Sequence, residues 1–258
     1  MDFSGKVVIV TGASGGIGAT CALDFSKSNA KLALVGRNEE KLRKVADQCE
    51  KASGQKPLTI IADISKAEDN TRIVKETLQK YGRLDVLLNN AGMLIMAGVI
   101  DDVANYDRIA ATNIRGTYML TLEAIPFLVK TKGNIVNVSS VLSSVPLPSM
   151  MPYCMTKAAL DMFTKCLALH LAPKGVRVNS VNPGPVETNL FVTAGIPEEA
   201  NTEFYANMRS RLPLQRIAKC EDVSKLVLFL ANDSSSNCIT GSFHLLDCGL
   251  HLGEPVVS

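Results

Sequence analysis

Short apolar runs recur along the chain, separated by amphipathic stretches. Val7-Val8-Ile9-Val10 is followed by Leu32-Ala33-Leu34-Val35, by Leu58-Thr59-Ile60-Ile61-Ala62 and by Val86-Leu87-Leu88. Ile135-Val136-Asn137-Val138, Val176-Arg177-Val178-Asn179-Ser180-Val181 and a weaker Phe243-His244-Leu245-Leu246 complete the series. Runs of this length, uninterrupted by regular polar alternation, predict strands buried on both faces of a parallel sheet. Between them the period changes. Within Glu39 to Cys49, Leu42, Val45 and Ala46 share one helical face, as do Ile73, Val74, Thr77 and Leu78 within Ile73 to Tyr81. Strands alternating with helices imply right-handed β-α-β units. The prediction is an α/β fold: a doubly wound, mainly parallel sheet of about seven strands flanked by helices. No Pro/Ser-rich linker, short repeat or low-complexity tract divides the chain, so residues 1–258 read as one domain.

The rhythm breaks over residues 185–216, which contain Gly195, Pro197 and Pro213 and an amphipathic piece from Glu198 to Met208. That is long for an α/β connection and predicts a substrate-binding loop or lid rather than an inert linker.

Composition narrows the partners. Hydrophobic residues make up 47% and charged residues 20%, with a net charge of +2. Nothing here draws the chain toward nucleic acid or an anionic surface, and small molecules are the expected partners. No uncharged run reaches membrane-spanning length, and the first residues lack the zones of a signal peptide. Seven scattered cysteines without a C-x-x-C pair suit reduced thiols in an intracellular protein, and a cytoplasmic location is expected. With three histidines and no cysteine spaced with them as ligands, no metal site is expected.

The first strand runs into Thr11-Gly12-Ala13-Ser14-Gly15-Gly16-Ile17-Gly18, within which a helix begins. The spacing G-x-x-x-G-x-G differs from the common G-x-G-x-x-G, but the physics is shared. Gly12 permits a sharp exit from the strand. Gly16 and Gly18 let a pyrophosphate approach the backbone, where free amides at the helix start meet its charge. Ser14 and Ile17 belong to the same candidate cofactor-binding turn. No Gly-Lys-Ser/Thr follows, so this is not a Walker loop.

The second strand ends at Gly36-Arg37-Asn38. An acidic residue there would bind the adenosine ribose of NAD. Arg37 instead matches a 2′-phosphate and points to NADP(H), with NAD(H) second; an ordinary solvated arginine is the competing reading.

Tyr153 and Lys157 stand four residues apart in a helical stretch and share one face. A lysine beside a phenol favours the phenolate and lowers its pKa from about 10, allowing proton exchange near neutrality. Alone, the pair is weak, and an ordinary surface helix pair is the better reading.

Taken together, the motifs are specific. The turn at residues 11–18, Asn89-Asn90-Ala91-Gly92, Asn113, Asn137-Val138-Ser139-Ser140, and Tyr153 with Lys157 occur in the order of the short-chain dehydrogenase/reductase family. Asn182-Pro183-Gly184-Pro185-Val186-Glu187-Thr188 follows the next strand in the same order. Over nearly its whole length the chain resembles that family in its roughly 250-residue single-domain form.

The resemblance implies a Rossmann-like fold and a set of roles. Ser140, thirteen residues before Tyr153, is similar to the serine that binds the substrate oxygen; Ser139 is the lesser candidate. Tyr153 resembles the general acid in reduction and the general base in oxidation. Lys157 resembles the residue that binds the nicotinamide ribose and tunes the tyrosine. Asn113 matches the helix asparagine that helps hold a proton-relay water. Asp63 and Ile64 match adenine contacts, and Asn90, Ala91 and Gly92 the turn that supports the cofactor. Pro183, Gly184, Val186 and Thr188 match contacts near the carboxamide end. A homotetramer is implied, with helices around residues 103–130 and 152–171 at one interface.

The function so implied is NADP(H)-dependent hydride transfer between nicotinamide and a ketone/secondary alcohol. A non-catalytic nucleotide sensor or scaffold on the same fold is the alternative. Leu190, Phe191, Val192, Ile196, Phe204, Tyr205 and Met208, with Met150 and Met151, suit an apolar pocket for a hydrophobic, steroid-like or 3-oxoacyl substrate. They suit lid core or subunit contacts equally well. Two segments depart from the family pattern. Val141-Leu142-Ser143-Ser144-Val145 lacks a glycine common after the serine, and Leu246-Asp247-Cys248-Gly249 replaces the commoner Asp-Gly-Gly, with little effect expected. Cys154 is expected to be a packing residue or bystander.

Overall fold

The computed structural model describes residues 1–96, 102–188 and 197–253. Seven strands form one sheet: β1 (Val7–Thr11), β2 (Lys31–Gly36), β3 (Leu58–Ile61), β4 (Val86–Asn89), β5 (Asn134–Val138), β6 (Arg177–Pro183) and β7 (Phe243–Leu246). Their order is β3-β2-β1-β4-β5-β6-β7, and every neighbouring pair is parallel. The expected sheet is present, and the prediction of a mainly parallel one tightens to fully parallel.

Strand sequences are apolar on successive residues because both faces are covered. Val8, Val10, Leu32, Leu34, Val86, Leu88, Val136 and Val138 pack in one core with α1 (Gly16–Lys27), α2 (Glu39–Ser53) and the later helix at Cys220–Ala231. Val7, Ile9, Ala33, Val35, Leu87, Ile135 and Val178 pack in the other. That second core is covered by α3 (Ala67–Tyr81), α5 (Thr117–Thr131) and α6 (Met151–Leu171). A period of two, buried on both sides, yields the continuous runs seen in the sequence.

Local chemistry sets the ends of α2. Asn38 Oδ1 accepts from Lys41 N at 2.9 Å, satisfying a first-turn amide. Gly54 closes the helix at φ 71°, a conformation only glycine adopts cheaply. α3 begins six residues before the apolar pattern at Ile73 predicts, because its first turn carries Glu68 and Asp69. A short α4 (Val103–Ala110) runs into a π-helical turn, Ala111–Gly116, and then α5. Nothing in the apolar spacing predicts that turn.

Order reverses between β1 and β4, both hydrogen-bonded neighbours in the sheet centre. In open α/β sheets ligands bind outside the carboxyl ends of strands at such a switch point. Beyond β6, Val186 bridges Ala218, and α7 (Glu198–Arg211) leads to α8 (Cys220–Ala231). Of the segment expected to act as a lid, residues 189–196 lie outside the described residues, with Leu190, Phe191, Val192 and Ile196 among them, as does the side chain of Phe204. Tyr205 and Met208 pack with Leu212, Ile217 and Leu250 in a satellite core. Both side chains thus belong to a small apolar cluster after β6. Among the described residues, no helix is long and apolar enough to cross a membrane.

Candidate active site

The turn after β1 and the turn after β4 are bolted together at the switch point. Thr11 Oγ1 donates to Leu88 O at 3.1 Å and accepts from Asn90 N at 2.9 Å and Ala91 N at 3.0 Å. Asn90 Nδ2 returns the tie, donating to Thr11 O at 2.9 Å and Gly12 O at 3.3 Å. Asn90 and Ala91 thus shape the Gly12 turn through hydrogen bonds. Thr11, 1% exposed, is the centre of this knot, and sequence reasoning did not single it out.

Gly12 and Gly18 leave no room for side chains. Gly12 has φ 65°, and a Cβ there would lie 2.8 Å from Asn90 Nδ2. A Cβ on Gly18 would collide with Gly12 O and Asn90 Nδ2. Gly16 has φ 54°, and its Cβ position lies 3.5 Å from the Thr188 methyl, so Thr188 closes over the turn. Gly15 caps α1 without any side-chain hydrogen bond. First-turn amides of α1 therefore point out of the helix with no side-chain acceptor, the arrangement that receives a phosphate. Ser14 Oγ is buried without a hydrogen-bond partner, against the space a Gly36 side chain would fill. An orphaned hydroxyl beside a glycine cradle fits a dinucleotide with a hydrogen-bonding ribose or phosphate.

At the adenosine end of such a ligand, Arg37 and Asp63 face each other, Nη1 to Oδ2 3.8 Å. The Arg37 side chain is 64% exposed, so this contact holds it weakly. Asn38 is committed to the α2 cap. Asp63 Oδ1 accepts from Ser65 N and Oγ at 3.0 and 2.8 Å, which folds the turn after β3. Ile64 is 4% exposed and its side chain belongs to the core.

Across the switch point, Asn113, Ser140, Tyr153 and Lys157 converge, each under 10% exposed. Asn113 sits in the π-helical turn. Its Oδ1 accepts from Met93 N at 2.8 Å, and its Nδ2 donates to Met93 O at 3.0 Å and Thr156 Oγ1 at 3.2 Å. The side chain therefore ties the segment following Gly92 to α6. Lys157 Nζ donates to Val138 O at 2.8 Å and lies 5.4 Å from the centre of the Tyr153 ring. A Cβ on Gly92 would lie 3.4 Å from Asn113 Oδ1 and 3.8 Å from Lys157 Nζ, so that turn borders both side chains. Ser139 donates to Lys157 O at 3.3 Å, a structural role. Ser140 Oγ accepts from Leu142 N at 3.1 Å at the start of the 3₁₀ turn Val141–Ser143 and donates to Pro183 O at 3.5 Å.

Electrostatics correct one expectation. Burial pushes the Tyr153 phenol up to about 12, with the neighbouring Ser140 hydroxyl working in the opposite direction. Burial likewise pulls Lys157 down to about 8, opposed by the Asp161 carboxylate. Burial dominates both groups, since each loses hydration in its charged form, and the phenol lies above rather than below its ordinary value.

Pro183 and Gly184 end β6 beside the C-terminal turn. A Cβ on Gly184 would lie 2.8 Å from Asp247 Cα. Val186 is 7% exposed and packs in the first core. Among the described residues, no group of three or more His, Cys, Asp or Glu side chains could hold a metal ion.

A family model described as enoyl-(acyl carrier protein) reductase matches residues 12–251. Glucose 1-dehydrogenase of Gluconobacter oxydans is 35% identical over 254 residues, 97% of this chain and 93% of the relative. A Caenorhabditis elegans short-chain dehydrogenase/reductase of unknown function, solved with cofactor, is similar at a TM-score of 0.94 and 35% identity, covering 97% of each chain. The chain belongs to the short-chain dehydrogenase/reductase family. This family consists of oxidoreductases that use a nicotinamide cofactor. Another similar structure, 3-ketoacyl-(acyl-carrier-protein) reductase from Brucella melitensis complexed with NADH, has a TM-score of 0.87 and 32% identity over 97% of this chain and 100% of that one.

The two departures from the short-chain dehydrogenase/reductase pattern have different weights. Val141 is buried and Leu142 packs beside Tyr153, so the first two residues after Ser140 are apolar neighbours of the site. Cys248 adopts φ 56°, a left-handed conformation that L side chains pay for sterically. Cys154 packs partly against Leu94, Met150 and Tyr153, consistent with a packing residue.

Proposed function

We propose that this chain is an NADP(H)-dependent carbonyl reductase/alcohol dehydrogenase acting on a hydrophobic ketone/secondary alcohol, steroid-like or 3-oxoacyl in character. The observation that carries this reading is the buried Lys157 Nζ lying 5.4 Å from the centre of the buried Tyr153 ring, with the Ser140 hydroxyl beside the phenol. Bound nicotinamide dinucleotide supplies or accepts the hydride. Ser140 and Tyr153 donate hydrogen bonds to the substrate oxygen as negative charge builds on it, and Tyr153 Oη delivers the proton. Lys157 binds the nicotinamide ribose, and its positive charge favours the phenolate when Tyr153 gives up its proton. Asn113 braces the site from the π-helical turn. Gly12, Ser14, Gly16, Ile17 and Gly18 cradle the pyrophosphate, and Asn90, Ala91 and Gly92 support the cofactor from β4. Asp63 and Ile64 border the adenine; Pro183, Gly184, Val186 and Thr188 border the carboxamide.

Arg37 selects NADP(H) over NAD(H). It is exposed, weakly held by Asp63, and has no acidic neighbour at the end of β2 that would bind a ribose hydroxyl. Leu94, Leu142, Met150 and Cys154 pack around Tyr153, an apolar setting for the reacting carbonyl. Residues 185–216 form the substrate loop.

A homotetramer is supported by α6, where Met155, Met162 and Leu169 recur every seven residues and are 49%, 58% and 83% exposed. Tyr118 and Leu122 on α5 are exposed as well. Such a stripe on two neighbouring helices calls for a partner helix pair. A cytoplasmic location suits the seven free cysteines.

The test is a panel of ketones and secondary alcohols assayed with NADPH and NADH, beside Tyr153→Phe. Turnover favouring NADPH is expected, with kcat in the variant falling about 10²- to 10⁴-fold and NADPH binding kept. Binding of NADPH without turnover of any substrate would favour a sensor or scaffold instead. Full activity in Tyr153→Phe would remove that residue from the mechanism.

A further inference from the structure

Tyr205 stands on α7 and is 9% exposed. Its ring packs with Leu212 and Ile217, while its hydroxyl reaches back to the segment that leaves β6. Tyr205 Oη donates to Val186 O at 2.6 Å and accepts from Thr188 N at 3.4 Å. One phenol thus bridges the main chain on both sides of Glu187. The other side of the segment is held by backbone: Val186 pairs with Ala218 in a parallel bridge, and Glu187 N donates to Ala218 O at 3.1 Å. Val186 O and Glu187 N belong to one planar peptide unit and point in opposite directions. Tyr205 and Ala218 therefore grip the same peptide plane from its two edges. Thr188, next along the chain, lays its methyl group 3.5 Å from the Cβ position of Gly16 in the turn after β1. α7 makes a second contact with the segment, from Arg209 Nη2 to Glu187 Oε1 at 3.6 Å. That pair is exposed and adds little, so the buried phenol is the stronger tie.

We propose that Tyr205 is a positioning residue for the dinucleotide: its hydroxyl fixes the Val186–Thr188 segment, and so the place of Thr188 against the Gly16 turn. This rests on reading the turn at residues 12–18 as the dinucleotide cradle and Thr188 as a border of the nicotinamide half. Removing the hydroxyl takes the phenol away from Val186 O and Thr188 N, and an unpaired buried main-chain group shifts toward another partner or toward water. The peptide plane then turns about its Ala218 contact, and Thr188 moves with it. The cradle itself is built separately, by the ties of Thr11 and Asn90 between the turns after β1 and β4. Arg37 and Asp63, read as the adenosine end, face each other beyond β2 and β3. Neither depends on α7. The effect of Tyr205 therefore falls on the half of the ligand that meets Thr188 and spares the half that meets Arg37. A helix of the segment read as the substrate loop is in this way joined to the nucleotide by one side chain.

Tyr205→Phe keeps the ring and removes the oxygen. The measurement is the dissociation constant of two ligands, by isothermal titration calorimetry of the full chain without substrate. One is whichever of NADPH and NADH binds the wild type more tightly. The other is its adenosine half alone, adenosine 2′,5′-bisphosphate for NADPH or adenosine 5′-monophosphate for NADH. In Tyr205→Phe the dinucleotide is expected to bind about tenfold more weakly, the loss of one buried hydrogen bond, while the adenosine half changes by less than about twofold. A merely structural loss would weaken both ligands alike or neither, and either result overturns the proposal. Thr188→Ala supplies a second arm. It should weaken the dinucleotide by itself, and adding Tyr205→Phe should then cost about twofold or less, because the Thr188 side chain that Tyr205 positions is gone. Full additivity of the two changes overturns the proposal. Should Tyr205→Phe not fold, hydrogen–deuterium exchange of the wild type makes the test. The dinucleotide, unlike its adenosine half, should slow exchange at Thr188 and in the α7 turn of Tyr205 together; slowing at Thr188 alone overturns the proposal. A wild type that binds the dinucleotide but turns over no ketone or alcohol overturns the proposed function and leaves this result standing. A wild type that binds neither dinucleotide overturns the cradle reading and the role of Tyr205 with it.

Discussion

Thr11 Oγ1 accepts from the main-chain amides of both Asn90 and Ala91, so one hydroxyl joins the turns that flank the switch point. Thr11→Val keeps the shape and removes the oxygen. Two buried amides and the Leu88 carbonyl then lose a partner, which should cost about 1–3 kcal/mol. Urea denaturation measures this, and NADPH affinity should weaken in parallel because the Gly12 turn loses its anchor. An unchanged urea midpoint would mean that water replaces the hydroxyl.

Arg37→Asp reverses the charge at the end of β2. The variant should lose at least about tenfold in kcat/KM with NADPH, as expected when a charge-assisted contact to phosphate is replaced by repulsion, while NADH is affected far less. The ratio of the two kcat/KM values is the readout. A wild type that prefers NADH strongly would sink the Arg37 argument before any mutation is made.

Lys157 links stability to pH. Its pKa is about 8 in the fold against 10.5 in the unfolded chain, so between those values the unfolded state binds more protons. Stability from this residue therefore rises as pH climbs from about 8 to about 10.5. Tyr153 acts oppositely at higher pH, because the fold retains its proton between 10 and about 12. Wild type should gain thermal stability relative to Lys157→Met across the lower window. A constant difference in Tm from pH 8 to pH 10 would show that the lysine is not desolvated as described.

Gln215 is exposed and holds φ 48°, with its amide bonded to Leu212 O at 2.8 Å. Glycine keeps that bond and removes the Cβ clash. Gln215→Gly should stabilise the protein by roughly 0.5–1 kcal/mol, the left-handed penalty less the entropy of glycine. Differential scanning calorimetry reads it as a higher Tm.

Most of the sheet was legible in the sequence because strands covered on both sides are continuous apolar runs. Val7 to Val10 and Ile135 to Val138 lie within observed strands, short of them by one residue. Helix starts were harder: Glu68, Asp69 and Asn70 hide the first turn of α3 from an apolar period. Ser140, Tyr153 and Lys157 were readable by spacing and do meet in space. The Thr11 knot and the tie from Tyr205 to Val186 were not, because they depend on partners 77 and 19 positions away. The direction of the Tyr153 shift was misjudged because charge proximity is visible in a spacing and burial is not.

The pairing of β1 with β4 joins Val8 to Val86, and the Thr11 knot closes on top of it. Contacts so distant along the chain make a slow, late event of folding, since a long loop must be closed before they reward it. The dinucleotide cradle thus exists only once the middle of the sheet has zipped. Capture of a nucleotide then reports completed folding, and a nucleotide-saturated cell would hold this protein in its finished state by mass action alone.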